Sequence, residues 1–386
     1  MCKWSFFVML TLAEGASSDF FFCIVYIYFM VMRKFGFLAG SAMISATVAT
    51  VMAVSAFTTS AFAAGKVACV GNSITYGYGI ESWPDNTSYP HHLQGLLRDG
   101  GATTDTVENF GVSGLTVRKD DQASYWKGYR FAPAIEFAAD TVIIELGTND
   151  SKAYTEWNSA AQNAAVDSAI TADFESLIDT FQVKSKPHIF ICLAPYVNNV
   201  EWNILDTAVV NRVNPAILRA GLEKGVNIID LHSRFSALEN PSWYLADMVH
   251  PSVEGAKHLA KIVYSHLQMD TLRVTQNGSK LVAPKGFGFQ WYKDGRLLEG
   301  DTLETLAISS VGKYKVSVKI DEKSLSRIVT APLDVQVTTG LNPHVRAGHD
   351  NGALEGAPAL YRIERHFDVR GRALQKQRKY QKIYSK

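Results

Sequence analysis

Residues 66–268 predict an α/β fold, a parallel sheet with helices on both faces, and three features lead there. Short apolar runs alternate with longer amphipathic stretches, a pattern that needs crossover connections between neighbouring strands. The runs are near-continuous in Val, Ile and Leu, as strands covered on both faces should be. Three short segments follow such runs directly: Gly71-Asn72-Ser73, Gly111-Val112-Ser113-Gly114 and Gly147-Thr148-Asn149-Asp150. Strand ends of that kind are where parallel sheets place their sites.

The strands are expected at 66–70, 106–110, 141–146, 188–193 and 226–231. Amphipathic periodicity places helices between and after them, at 89–98, 133–138, 164–181, 207–222 and 253–266. From about residue 271 the texture changes to period-two alternation. Phe289-Gln290-Trp291-Tyr292-Lys293 runs into an Asp294-Gly295 turn, and strand-like runs follow at 303–308, 314–320 and 327–337. This reads as a small all-β module over 271–337, resembling bacterial immunoglobulin-like sandwiches in its Trp-x-Lys-Asp-Gly pattern but without their cysteine pair. Pattern alone does not assign the aromatics Trp291 and Tyr292; one of the two is expected in its core.

The two ends read as processing and accessory segments. Met32-Arg33-Lys34, the apolar run 35–59 and Ala61-Phe62-Ala63 have the order of a secretory signal, giving a signal peptide over 32–63 and a mature start at Ala64. Residues 1–31 are read as an upstream over-extension; an N-terminal anchor is the other reading. Domain boundaries follow: catalytic domain 64–270, β module 271–337, linker 338–357 and basic tail 358–386, the tail being either a sorting signal or a solvated surface. The expected location is outside the cytoplasm of a bacterium, secreted, periplasmic or at the cell surface, with no stable membrane anchor after cleavage.

Composition narrows the function. With 38 Lys+Arg against 37 Asp+Glu, the formal net charge is +1, and nothing favours nucleic acid as a partner. Cys69 and Cys192 fall within apolar runs and read as small buried hydrophobes. No His/Asp/Glu grouping has metal-ligand spacing beyond one Asp/His pair, so neither a metal nor another cofactor is expected.

The chemistry lies in four segments, the fourth being Asp247-Met248-Val249-His250. A serine hydroxyl needs a base before it can attack a carbonyl, and the base needs an orienting group. Ser73 sits at a strand-to-turn junction, His250 is the best base, and Asp247 is placed to orient it. An oxyanion needs preorganised donors, which the N–H groups of Ser73 and Gly114 and the amide of Asn149 can supply. Taken singly, Gly114 would read as a turn glycine and Asn149 as a turn or cap residue.

Together, residues 67–77 (VACVGNSITYG), 109–116 (NFGVSGLT), 146–150 (LGTND) and 247–251 (DMVHP) resemble blocks I, II, III and V of the SGNH, or GDSL-type, hydrolases. The resemblance covers about 200 residues. It implies a flavodoxin-like three-layer α/β/α sandwich, Ser73 as nucleophile, Asp247 and His250 completing a triad, and Gly114 and Asn149 as oxyanion donors. It also implies that the strand carrying Cys69 is separated from that carrying Cys192 by the strand ending at Leu146, which excludes a disulfide between them. One departure stands out: Asn72 occupies the position of the family's usual Asp, which is not a triad member.

That family hydrolyses lipids, thioesters, aryl esters and acetylated sugars. Tyr125, Trp126, Tyr154 and Trp202 either line a cleft suited to a carbohydrate or pack loops onto the sheet. The expected substrate is an acetylated glycan or a small ester. The alternatives are a lysophospholipase or arylesterase, and a non-catalytic carbohydrate-binding protein on the same fold.

Overall fold

The computed structural model describes residues 64–80, 87–269 and 271–336, and the backbone of 366–367 and 373–374. The signal and linker expectations, and most of the tail, lie outside them. Within 1–337 the alternating part folds as β1 (Lys66–Gly71), α1 (Tyr89–Asp99), β2 (Thr106–Gly111), α2 (Phe131–Glu136), β3 (Thr141–Glu145), α3 (Ala160–Lys184), β4 (His188–Leu193), α4 (Asn214–Lys224), β5 (Asn227–Asp230) and α5 (Val253–Leu267). The five strands pair in parallel in the order β2-β1-β3-β4-β5.

Side-chain alternation assigns each face. Ala68 and Val70 of β1, Val142 and Ile144 of β3 and Ile191 of β4 pack with Ile170 and Phe174 of α3 and Ile217 of α4. Their neighbours Val67, Cys69, Ile143, Phe190 and Cys192 pack with Leu93 of α1 and Leu259 of α5. A period of two thus buries both faces, producing three layers. Because β3 lies between β1 and β4, Cys69 and Cys192 are two strands apart, and both are free thiols.

The helix expected over 207–222 is interrupted. A short turn, Asp206–Ala208, passes through a π-helical segment, Val209–Val213, before α4 begins. Pro215 explains the break, since it has no N–H to give to the carbonyl four residues back.

Residues 271–336 supply β6 (Thr275–Asn277), β7 (Lys280–Val282), β8 (Gly288–Lys293), β9 (Arg296–Leu297), β10 (Thr305–Ala307), β11 (Gly312–Lys319), β12 (Arg327–Val329) and β13 (Leu333–Val335). The all-β character is as the alternation predicts. These strands do not stand apart from the parallel sheet, however. β12 pairs antiparallel with β5, Arg327 opposite Ile228, so the strand order runs β9-β8-β11-β12-β5-β4-β3-β1-β2 in one ten-stranded mixed sheet, with β13 on β11. A second small sheet, β10-β7-β6, packs across from it through Leu281, Leu306, Trp291, Tyr314 and Val316.

Trp291 and Tyr292 are both fully buried, where one of the two was expected in the core. Successive strand residues point to opposite faces. Trp291 enters the β core and donates its indole N–H to Leu303 O at 2.8 Å, while Tyr292 reaches α4 and donates to Leu222 O at 2.6 Å. Asn227 and Asp230 clamp the edge further: Asn227 Oδ1 accepts the N–H of Val329 and Asp230 Oδ2 that of Leu325, both at 2.8 Å. The exposed edge that β5 would otherwise offer is thereby covered.

In the unit beyond residue 337, His366–Phe367 pairs antiparallel with Ala373–Leu374. No helix among the described residues is long and apolar enough to cross a membrane.

Candidate active site

Strands β2, β1 and β3 are adjacent, so the loops leaving their carboxyl ends share one sheet edge. The first is a single helical turn, Ser73–Tyr76, capped by Asn72, whose Oδ1 accepts the N–H of Ile74 at 2.8 Å. Gly71 makes the turn possible: a Cβ there would lie 2.0 Å from Thr75 Oγ1 and 2.5 Å from Glu145 O. Ser73 consequently begins a helix at a strand end, 6 % exposed.

His250 reaches it from the loop before α5. Its Nε2 lies 2.9 Å from Ser73 Oγ, and its Nδ1 lies 2.8 Å from Asp247 Oδ2. A carboxylate only accepts, so Nδ1 carries the ring proton and Nε2 is left to accept from the serine. Asp247 Oδ1 accepts the backbone N–H groups of Val249 and His250, each at 2.9 Å. Met248, with φ 57°, takes the left-handed conformation that bends the chain this tightly. Burial pushes the Asp247 carboxyl upward, but the hydrogen bonds from His250 and Val249 outweigh it and hold the group below its ordinary range.

Gly114 and Asn149 stand on the neighbouring loops. Gly114 has φ 81°, and the space where a Cβ would project is open, so the backbone conformation is what requires glycine. The Asn149 amide donates one N–H to Leu115 O at 3.2 Å, which fixes its plane and leaves a second N–H. Asp150 ties the same two loops, both carboxylate oxygens accepting from Val117 N at 3.2 and 3.1 Å; burial pushes its pKa up to about 7.

A cleft of about 410 Å³ opens beside these residues, lined by Gly114, Thr116, Arg118, Asp121, Asn149 and Lys152 among others. Arg118 is held in place by Asp121 at 2.7 Å. On the His250 side, Tyr78 and Trp202 are 45 % and 41 % exposed, with ring centroids 4.5 and 5.8 Å from the imidazole. The Trp202 loop is tied to the Asp247 loop, since Asn199 accepts the N–H of Trp202 at 2.9 Å and donates to Asp247 O at 3.0 Å.

Of the four aromatics considered for substrate contact, only Trp202 stands at the site. Tyr125 is fully buried and donates to Phe110 O at 2.8 Å; Tyr154 is 8 % exposed and donates to Asp167 at 2.7 Å. Trp126 lies half-buried against Phe131 and donates to Val117 O at 2.9 Å. In all three the apolar body fills the core while the polar tip finds an internal acceptor, so they pack loops onto the fold. Two residues without a sequence-derived role belong here instead. Tyr78 lay in the Tyr76-Gly77-Tyr78-Gly79 turn, where flanking glycines favour an exposed ring. Glu145, a lone acid closing an apolar strand, is buried beneath the Ser73 turn.

Residues 69–258 match the family model described as GDSL-like Lipase/Acylhydrolase family. An acetylxylan esterase from Xylanibacter ruminicola is 32 % identical over 216 residues, which is 51 % of this chain and 42 % of that protein. The chain thus spans less than half the length of this relative. Among solved structures, an acetyl xylan esterase from Geobacillus stearothermophilus is 22 % identical, with a TM-score of 0.42, over 54 % of this chain and 97 % of that one. A lipase/acylhydrolase from Enterococcus faecalis is 19 % identical, with a TM-score of 0.42, over 53 % and 95 % respectively. Residues 69–258, the stretch that brings the sequence blocks together at one sheet edge, are thus similar to the GDSL-like lipase/acylhydrolase family.

Proposed function

We propose that the protein is a serine esterase that removes O-acetyl groups from a polysaccharide or glycan through an acyl-serine intermediate. The observation that carries this reading is the single line of contacts Ser73–His250–Asp247, at 2.9 and 2.8 Å. His250 Nε2 takes the Ser73 proton as Oγ attacks the acetyl carbonyl, and Asp247 stays ionised to stabilise the imidazolium. The N–H groups of Ser73 and Gly114 and the free N–H of Asn149 receive the oxyanion. Collapse breaks the bond to the sugar oxygen, which takes the proton from His250. Water then enters, loses a proton to His250, and releases acetate from Ser73 by the same route.

Three observations favour a sugar over an alkyl chain. The cleft beside the oxyanion donors carries Arg118, Asp121 and Lys152 among its lining residues, whose desolvation an alkyl chain would not offset. Tyr78 and Trp202 offer exposed rings of the kind that cover a sugar face. The relative from Xylanibacter ruminicola is named an acetylxylan esterase. A polymer substrate and the leader-like residues 32–63 together support action outside the cell. The β region 271–336 then serves as a brace of immunoglobulin-like pattern, bonded to β5 and α4.

Hydrolysis of esters with acyl groups from acetyl to palmitoyl, with Ser73→Ala as control, tests the reading. Turnover confined to short acyl groups and abolished by the substitution is expected. A preference for long chains would point to a lipase or lysophospholipase, and turnover unaffected by the substitution would sink the assignment of Ser73.

A further inference from the structure

The turn carrying Ser73 rests on a buried acid. Glu145 is 1 % exposed, and its backbone carbonyl accepts the N–H of Asn72 at 3.2 Å. Its carboxyl group meets the two side chains that flank Ser73. Thr75 Oγ1 lies 3.2 Å from one oxygen, and Asn72 Nδ2 lies 3.5 Å from the other. A threonine hydroxyl accepts as readily as it donates, so it can take the proton of a neutral acid, while the amide serves the remaining carbonyl oxygen.

The surroundings favour that neutral form. The titratable groups facing Glu145 are Tyr89 of α1 and Cys192 of β4, with Cys69 of β1 against Tyr89; burial raises the pKa of all three and keeps them uncharged. No cation acts on Glu145 among the described residues; burial pushes it up to about 8, and the bonds from Thr75 and Asn72 offset only part of that. Because residue 72 is Asn, the side chains that meet the Glu145 carboxyl, Asn72 and Thr75, bring no second carboxyl group to it.

Building on the esterase reading, we propose that Glu145 is a positioning residue: as a neutral acid bonded to Thr75 and Asn72 it seats the nucleophile turn and keeps the region behind the Ser73 N–H uncharged, and its ionisation slows the reaction. A negative charge behind a donor aimed at an oxyanion opposes the charge developing in the transition state. Across several ångströms of protein this amounts to on the order of ten-fold in rate.

The test is the dependence of kcat on pH for the full chain on a small acetate ester, run for the wild type, Glu145→Gln and Asn72→Asp, with Ser73→Ala as background. Infrared difference spectra of buried protonated carboxyl groups are recorded over the same range. The wild-type rate is expected to fall about ten-fold as pH rises through about 8, together with loss of a protonated-carboxyl band. The fall near pH 8 and the band that titrates with it should be absent from Glu145→Gln, which leaves the buried Asp150 carboxyl to titrate near 7. In Asn72→Asp the second carboxylate raises the pKa of the first, moving the fall upward by about one unit or more. An unchanged alkaline fall in Glu145→Gln, or no protonated carboxyl assignable to Glu145 at pH 7, would overturn the proposal. Should the Gln variant fail to fold, a fall that stays in place or moves to lower pH in Asn72→Asp overturns it equally. Absence of any Ser73-dependent hydrolysis would instead sink the esterase reading, and the infrared titration would still decide whether Glu145 is neutral.

Discussion

Ser73 Oγ and His250 Nε2 lie 2.9 Å apart across 177 residues of chain. The imidazole that joins them has one partner on its other nitrogen, Asp247 Oδ2. Replacing that carboxylate by an amide would turn an N–H group toward Nδ1 and move the ring proton to Nε2, where it cannot accept from serine. Asp247→Asn should therefore cost about 10⁴ in kcat with little change in fold. Ser73→Ala should cost on the order of 10⁶. Steady-state kinetics on an acetate ester, with circular dichroism to check folding, measures both. A loss below ten-fold for Asp247→Asn would show that another group can orient the ring.

Asn149 allows a cleaner separation of binding from catalysis. Its amide is buried and already held by Leu115 O, so in the proposed reaction the second N–H would be preorganised for a charge that exists only in the transition state. Asn149→Ala should lower kcat by about 10²–10³ and move KM little. A KM effect of that size with kcat preserved would make the residue a ground-state contact instead.

Trp202 should act the other way. Its exposed ring lies beside His250, on a loop bonded to the Asp247 loop, and under the proposed reaction it would cover the sugar that leaves. Trp202→Ala should raise KM for an acetylated oligosaccharide about ten-fold more than KM for a small aryl acetate, the size of one aromatic contact. Equal effects on the two substrates would remove the sugar from this face of the site.

The sequence made the parallel half of the fold and the four blocks legible because both are local signals. Strand ends at Gly71, Gly111 and Glu145 fall within one residue of the expected positions. The aromatic contacts were not legible, since Tyr125 and Tyr78 differ only in what surrounds them: one points its hydroxyl at Phe110 O, and the other stands in a glycine-flanked turn. The join between β5 and β12 was hidden for a different reason. Ile228 and Arg327 meet across about a hundred residues, and period-two alternation says nothing of which strand a β run will pair with.

That join carries a stability prediction. Trp291 is the largest fully buried side chain of the β region, and Tyr292, its neighbour, bonds to α4. Trp291→Ala should destabilise the protein by about 3–5 kcal/mol, and Tyr292→Phe by about 1 kcal/mol. Because the sheet is continuous from β9 to β2, the loss should appear in one transition for both halves. Urea unfolding followed by tryptophan fluorescence and by residual esterase activity checks this. Activity persisting past a separate early transition would mean that the β region folds apart from the rest.

The two thiols offer a last, opposite kind of prediction, one of silence. Cys69 and Cys192 sit on the face shared with α1 and α5, both fully buried, and neither is bonded to the other. Burial pushes the Cys69 thiol up to about 12 and Cys192 well above its ordinary value, so almost no thiolate exists below pH 9. The native protein should therefore keep both thiols unmodified in excess iodoacetamide at pH 8, while the urea-unfolded chain reacts rapidly at both. Mass analysis of labelled peptides distinguishes the two states. Rapid native labelling at Cys69 would show that the layer over β1 opens, and with it the strand that carries the Ser73 turn, on the timescale of the reaction.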